Sequence, residues 1–310
     1  MEPSAHPCAL TSSATYANVD RLPPLTMTSP QHHSEALRKR IASRLRTSRY
    51  YAELRRARAA VAPLLFWPGS LWAFFRWTTA DQRRRAFYGQ FVFPGELVFD
   101  VGANVGNRSK IFLSLDARVV AFEPQPRCAR LLRAVALVHP GLNVSTMALG
   151  AEVGEGDMLI FREHVLSSLS EEWAAATKAS GRFLRAKSIR RWGVQIDTLD
   201  RMIEIYGTPV FIKIDVEGFE EQVIRGLSVA VRCVSLEFAS ESLSAVERCI
   251  ARLSGMQRIE GQISIGESME WALPAWTPPE GVVAALYELK RQDPLAWGDV
   301  YLRSATAGVP

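Results

Sequence analysis

Lys213, Asp215 and Glu217 close the apolar run FIKIDVEGFE, each two positions from the next. Along a strand that spacing puts Lys213 and Asp215 on one face. Carboxylates so placed can act as general base, taking the proton of a hydroxyl as its oxygen attacks. The lysine beside them either keeps one of them ionised or orients the acceptor. Capping of the following helix accounts for one acid, at about 0.3 to 1 kcal/mol, but not for a lysine in an otherwise apolar strand. Glu237, near the end of VSLEF, is a weaker third candidate. Hard oxygen ligands would suit magnesium, but two carboxylates do not make a metal site, and no metal is expected.

A second set of residues reads as a ligand loop. LVFDVGANVG, Leu97 to Gly106, joins an apolar strand, Asp100 at its end and a loop with Gly102 and Gly106, followed by the amphipathic run NRSKIFLSL. Strand, tight glycine turn and helix N-terminus in that order open a nucleotide-binding α/β sheet. The dinucleotide fingerprint needs a glycine where this chain has Asn104, and there is no Walker lysine. A loop that cradles no phosphate and follows Asp100 suits a ligand carrying an ammonium and a sulfonium, such as S-adenosylmethionine.

The next strand supplies an acid for a sugar. RVVAFEPQP, Arg118 to Pro126, is a buried run that stops at Glu123 and then at Pro124, which a central strand excludes. Glu123 stands 23 positions after Asp100. Sheets of this kind place the acid that takes ribose hydroxyls about 20 residues on. Glu123 is therefore the expected ribose acceptor.

These residues need a sheet to hold them. Strands are expected at Leu97 to Val101, Arg118 to Glu123, Asn143 to Leu149, Val210 to Asp215 and Val231 to Phe238, with helices at Arg127 to Val138, Leu199 to Tyr206 and Phe219 to Gly226. The alternation predicts a doubly wound, mostly parallel α/β sheet, with ligands outside the carboxyl ends of its strands. One interval, about 151–193, is too long for a simple crossover. It holds a short strand from Met158, Ser167 and Ser168, and a basic helical run ending RFLRAKSIRRW. Such excursions above a ligand edge form lids or substrate walls, so this one is read as the acceptor side.

Size and charge divide the chain. Its 310 residues, 48% hydrophobic, suffice for one large core and an appendage. Residues 1–90 hold 14 Lys and Arg against 5 Asp and Glu, and the remainder 23 against 27. Residues 1–33, rich in Ser, Thr, Pro and His, read as disordered. Residues 34–92 read as a basic, aromatic helical extension, with a helix from Ser34 to Ala60 bearing Leu37, Ile41 and Leu45 on one stripe. The uncharged run Val61 to Phe75 is too short, and too broken by Pro63, Pro68 and Gly69, to span a bilayer. Basic helix plus aromatic segment, residues 34–78, resembles a peripheral membrane element. Packing of Trp67, Trp72, Phe74, Phe75 and Trp77 onto the catalytic domain or a partner subunit is the preferred expectation. Cys8, Cys128, Cys233 and Cys249 lack metal spacing and suit a reducing compartment. With no secretory pattern, a cytoplasmic location is expected.

Taken in order, DVGANVG, AFEPQP, MALG (Met147 to Gly150), SSL (Ser167 to Leu169), DTLD (Asp197 to Asp200) and IKIDVEGFE resemble the FkbM family of S-adenosylmethionine-dependent methyltransferases. The resemblance runs from Leu97 to about Phe238. It implies a class I methyltransferase (Rossmann-like) fold, with a seven-stranded sheet whose last strand is antiparallel, and methylation of hydroxyl oxygens on sugars, glycolipids or natural products. It also implies that Asp100, Gly102, Asn104 and Gly106 bind the methionine portion, Glu123 the ribose, and that Ala148 and Leu149 lie near the adenine. Asp215 and Glu217 match the family's acidic motif near the reacting centre. The methyltransferase domain would occupy residues 93–310.

Two other classes compete. An RNA methyltransferase could use the basic segments to track phosphates, but DVEG lacks the Asn/Asp-Pro-Pro-Tyr pattern of base-flipping enzymes, and a small-molecule or glycan acceptor is expected over nucleic acid. A non-catalytic membrane or complex-tethering module would not need the intact glycine loop and acids.

Overall fold

Alternate side chains of the apolar strands face two different helical layers, and that alternation organises the molecule. In the computed structural model the described residues are 72, 74–161, 167–169 and 188–305. They belong to the second of two units, residues 64–310, into which the chain divides. The disordered start, the helix from Ser34 to Ala60, Trp67 and the part of the basic run before Ser188 are expectations that lie outside the described residues.

The elements are α1 (Thr79–Tyr88), β1 (Leu97–Val101), α2 (Asn107–Ser114), β2 (Arg118–Phe122), α3 (Pro126–Ala136), β3 (Leu142–Ser145), β4 (Ala148–Leu149), β5 (Gly154–Phe161), β6 (Ser167–Ser168), β7 (Ser188–Asp197), α4 (Leu199–Tyr206), β8 (Phe211–Ile214), α5 (Glu220–Arg225), β9 (Cys233–Ala239), α6 (Leu243–Met256), β10 (Ile259–Ile265), α7 (Pro279–Gln292) and β11 (Trp297–Ser304). Seven strands form the main sheet in the order β10-β11-β9-β8-β1-β2-β3. β11 runs antiparallel to both its neighbours, and the other pairings are parallel. This is the expected α/β sheet with its antiparallel last strand.

Phe99, Val101, Ile212, Ile214, Leu236 and Phe238 pack with α4, α5, α6 and α7 in one core. Val98, Phe211, Cys233 and Tyr301 face the opposite way, onto Phe87 and Tyr88 of α1 and Ile111 and Phe112 of α2. Both faces being covered explains why these strands read as continuous apolar runs. The core includes Phe87, Tyr88, Phe91 and Val92, just N-terminal to Phe93. α1 is anchored by a capping box in which Thr78 accepts from the Asp81 N–H and the Asp81 carboxylate accepts from the Thr78 N–H.

Three expectations are corrected. The strand foreseen from Asn143 to Leu149 is two strands. β3 ends at Ser145 in the main sheet, the Met147 N–H turns back to Ser145 Oγ at 3.3 Å, and β4 pairs with β7 in a second sheet of order β4-β7-β5-β6. The basic run, read as helical to its end, is strand from Ser188, antiparallel to β5. Trp192, Val194 and Ile196 recur with period two and pack on Met158 and Ala148, so the strand pattern of the apolar residues overrides the helical look of the arginines. Of the aromatic segment, Phe74 packs inward beside Gly106 and Leu132, Phe75 and Trp77 remain partly exposed while stacking on His139 and meeting Lys110, and Trp72 stays exposed. Among the described residues no helix is long and apolar enough to cross a membrane.

Candidate active site

β1, β2 and β8 end side by side, and the loops that leave them enclose a cavity of about 300 Å³. Asp100, Gly102, Asn104, Glu123, Ala148, Leu149, Asp215 and Glu217 all line it. Glu123 and Asp215, placed on different strands by the sequence, thus share one chamber. Gly106 and Lys213 are not part of its wall.

The glycine loop is shaped by close approach. Gly102 has φ of 82°, and a Cβ there would lie 1.9 Å from the Asp215 carbonyl oxygen. Only glycine lets the loop cross the end of β8 so closely. Asn104 also takes a left-handed φ of 51°, which asparagine tolerates better than most residues. Gly106, at φ of 85°, is the N-cap of α2, and a Cβ there would meet Leu132 and Phe74 within 2.8 Å. Its place is structural: it starts the helix and leaves room for Phe74.

Glu123 is buried, and its oxygens accept from the backbone N–H groups of Asn104 and Gln125, each at 2.7 Å. Burial pushes its carboxyl up to about 7 despite these two donors. Asp100 is also buried and accepts from Ser109 Oγ at 2.5 Å. Burial raises its carboxyl above the ordinary range, outweighing the Ser109 hydrogen bond. One acid thus ties the glycine loop to β2, and the other ties β1 to α2.

Lys213 lies behind the cavity wall, buried in β8. Its Nζ stands 3.0 Å from Asp299 Oδ1 and 3.3 Å from Asp215 Oδ2. Burial works against its charge, but Asp215 and Asp299 outweigh it and hold the ammonium well above its usual range. For Asp215, burial raises the carboxyl, and the Lys213 ammonium, helped by Arg108, more than reverses this, so it stays ionised. Glu237 goes the other way: burial and the charges of Asp215 and Glu217 raise it far above a normal carboxyl, and it is hydrogen-bonded to Asp215. Of the two roles left open for Lys213, the geometry favours keeping Asp215 ionised.

Glu217 sits at φ of 53° next to Gly218 at 90°. This left-handed pair is energetically unfavourable for a glutamate and brings its carboxylate into the cluster. Oxygens of Asp215, Glu217 and Glu237 all lie within 4.8 Å of one another, close enough to surround a cation. Glu220 takes no part. It accepts from the Val216 and Gly218 N–H groups and fixes the turn.

Arg84, Arg108, Glu267 and Trp297, which the sequence reading passed over, complete the wall. Arg108 NH2 lies 2.7 Å from Glu267 Oε1 and Arg84 NH2 3.2 Å from Glu267 Oε2. No sequence spacing joins them. Asp299 did carry a signal, since an acid inside the apolar run WGDVYL calls for a buried partner as Lys213 does. Six carboxylates and two guanidinium groups line the cavity among the described residues, beside the apolar Ala148, Leu149 and Met158. A cationic ligand with an apolar ring system fits that donor set.

The family model described as the methyltransferase FkbM domain matches residues 100–243, a span that contains the glycine loop, Glu123, the acid cluster and the second sheet. No curated protein matches the chain. Among solved structures, the chain is similar to a precorrin-6y C5,15-methyltransferase from Geobacter metallireducens, at 9% identity over 71% of this chain and 88% of that one, with a TM-score of 0.38. It is also similar to an S-adenosylmethionine-dependent O-methyltransferase from Thermotoga maritima, at 9% identity over 72% and 65%, TM-score 0.35. A third is P. horikoshii TYW2 in complex with MeSAdo, at 12% identity over 74% and 65%, TM-score 0.35. With the motifs, the seven-stranded topology and the family match in agreement, the protein is an S-adenosylmethionine-dependent methyltransferase of the class I fold, carrying an FkbM methyltransferase domain over residues 100–243.

Proposed function

We propose that the protein methylates a hydroxyl oxygen of a sugar, glycolipid or natural product, with Asp215 as the general base. One observation carries this reading: Asp215, 3.3 Å from the Lys213 ammonium, opens onto the cavity that Glu123 also lines. Bound S-adenosylmethionine supplies a methyl group on a sulfonium. Everything else falls to the chain. Glu123, Asp100 and the loop through Gly102 and Asn104 hold the donor, with Ala148 and Leu149 as the apolar wall for its base. Asp215 takes the acceptor's proton while the oxygen attacks, and Glu217 and Glu237 flank it and orient the hydroxyl. Alignment of this kind can supply several kcal/mol of barrier lowering, with about 7 to 11 as its upper range.

The lining supports an acceptor that is not a polyanion, because acidic side chains outnumber arginines there by six to two. Met158 and Leu169 bring the interval after Gly150 to the cavity beside Ala148, so that interval forms part of its wall. Incubation of the protein with labelled donor and a cell extract tests the reading. Label is expected in a base-stable methyl ether of a small molecule or glycan. Label confined to RNA, or to a methylated nitrogen, would overturn it.

A further inference from the structure

Arg108 follows the glycine loop directly, as the second residue of α2. Its side chain is only 12% exposed, it lines the cavity, and its buried Nε has no hydrogen-bond partner among the described residues. A buried guanidinium N–H left unpaired is costly, so its place in a ligand cavity needs an explanation. Arg84 stands beside it, and the two are bridged by Glu267, whose carboxylate takes one bond from Arg108 and two from Arg84. Glu267 is 43% exposed and far less enclosed than either arginine. It sits just after β10, in the segment leading to α7. Arg84 and Glu267 both lie outside the matched residues 100–243.

Charge decides what the pair is for. The sulfonium and ammonium of the donor suit a wall of six acidic side chains, but the donor also carries an α-carboxylate. Among the described lining residues only Arg84 and Arg108 can neutralise it. A planar guanidinium takes a carboxylate through two parallel N–H bonds, and the NH2 groups of Arg84 and Arg108 are those that Glu267 now occupies.

We propose that Arg84 and Arg108 form the seat of the donor's α-carboxylate, and that Glu267 is the side chain this carboxylate displaces. The proposal rests on S-adenosylmethionine being the donor. Displacement frees the segment after β10 from the arginines, so donor binding loosens that wall of the cavity. An anionic group on the acceptor would have the same chemistry, and the test separates the two sources.

Calorimetry on the full chain with S-adenosylmethionine and with its decarboxylated analogue tests it. Wild type is expected to bind the carboxylated donor about tenfold or more tighter, the scale of a charge-assisted pair. Arg108→Gln removes that preference while binding the decarboxylated analogue as wild type does, which also shows that the variant is folded. Glu267→Gln acts in the opposite direction, tightening the natural donor by about threefold or more because a competitor has gone. A merely structural bridge predicts weaker binding in both variants and for both ligands, and that result overturns the proposal. Unchanged donor affinity in Arg108→Gln with a raised acceptor KM overturns it in favour of the acceptor's anion. Wild type binding neither ligand would sink the donor reading itself.

Discussion

Lys213 and Asp299 come from strands that are not neighbours in the sheet, yet their charged atoms meet at 3.0 Å in the protein interior. β9 lies between β8 and β11, and Lys213 reaches past Ser235 to do so. Tyr301 donates to the other Asp299 oxygen at 3.3 Å, and Tyr88 stands 3.2 Å from Tyr301. The acid cluster is therefore held by a buried polar row that ends on α1.

Removing the charge of Lys213 leaves Asp299 and Asp215 uncompensated. Lys213→Met should cost about 3 to 5 kcal/mol, the usual loss when one partner of a buried pair is deleted. The double variant Lys213→Met with Asp299→Asn should lose less than the sum of the two single changes. Urea denaturation of the four proteins measures this, and simple additivity would contradict the pairing.

Gly102→Ala sets a methyl group against the Asp215 carbonyl oxygen, 1.9 Å from its ideal Cβ. The left-handed φ alone costs about 1 to 2 kcal/mol, and the loop must then move off β8. A lower melting temperature together with lost donor binding is expected. Unaltered donor affinity would mean that the loop does not form the donor seat.

Glu123 should make donor binding depend on pH. Its carboxyl titrates near 7 because burial outweighs its two backbone donors. Hydroxyls donate to the ionised form, so affinity is lost as pH falls through 7. Between pH 8 and pH 6 the dissociation constant should rise about tenfold, and Glu123→Gln should bind weakly with a flat profile. A wild-type affinity independent of pH over that range would remove Glu123 from the ribose.

The hydrogen bond between Asp215 and Glu237 and the Lys213 charge offset the clustered acids Asp215, Glu217 and Glu237 without a cation. Turnover should therefore survive dialysis against a chelator within about twofold. Loss of activity that magnesium restores would reassign the three carboxylates as its ligands.

Legibility followed the range of the signal. β1 and α4 run from Leu97 to Val101 and from Leu199 to Tyr206, as the residue pattern predicts, because each is bounded by local punctuation: the glycine loop after Val101, the Thr198 cap and Gly207. Glu123 and Asp215 were placed at strand ends by the same local logic, and a parallel sheet brings such ends together. The wall formed by Arg84, Arg108 and Glu267 joins α1, α2 and the segment after β10. No spacing relates three segments so far apart in the chain. The second sheet was hidden because arginines at Arg190 and Arg191 masked the alternation that begins at Trp192.

The most direct test is Asp215→Asn, followed by donor calorimetry and turnover on the same preparation. Expected is a donor dissociation constant within about threefold of wild type, with kcat down by about a hundredfold or more, the usual share of a general base. Wild-type turnover at acid, neutral and alkaline pH alike would contradict Asp215 as the base.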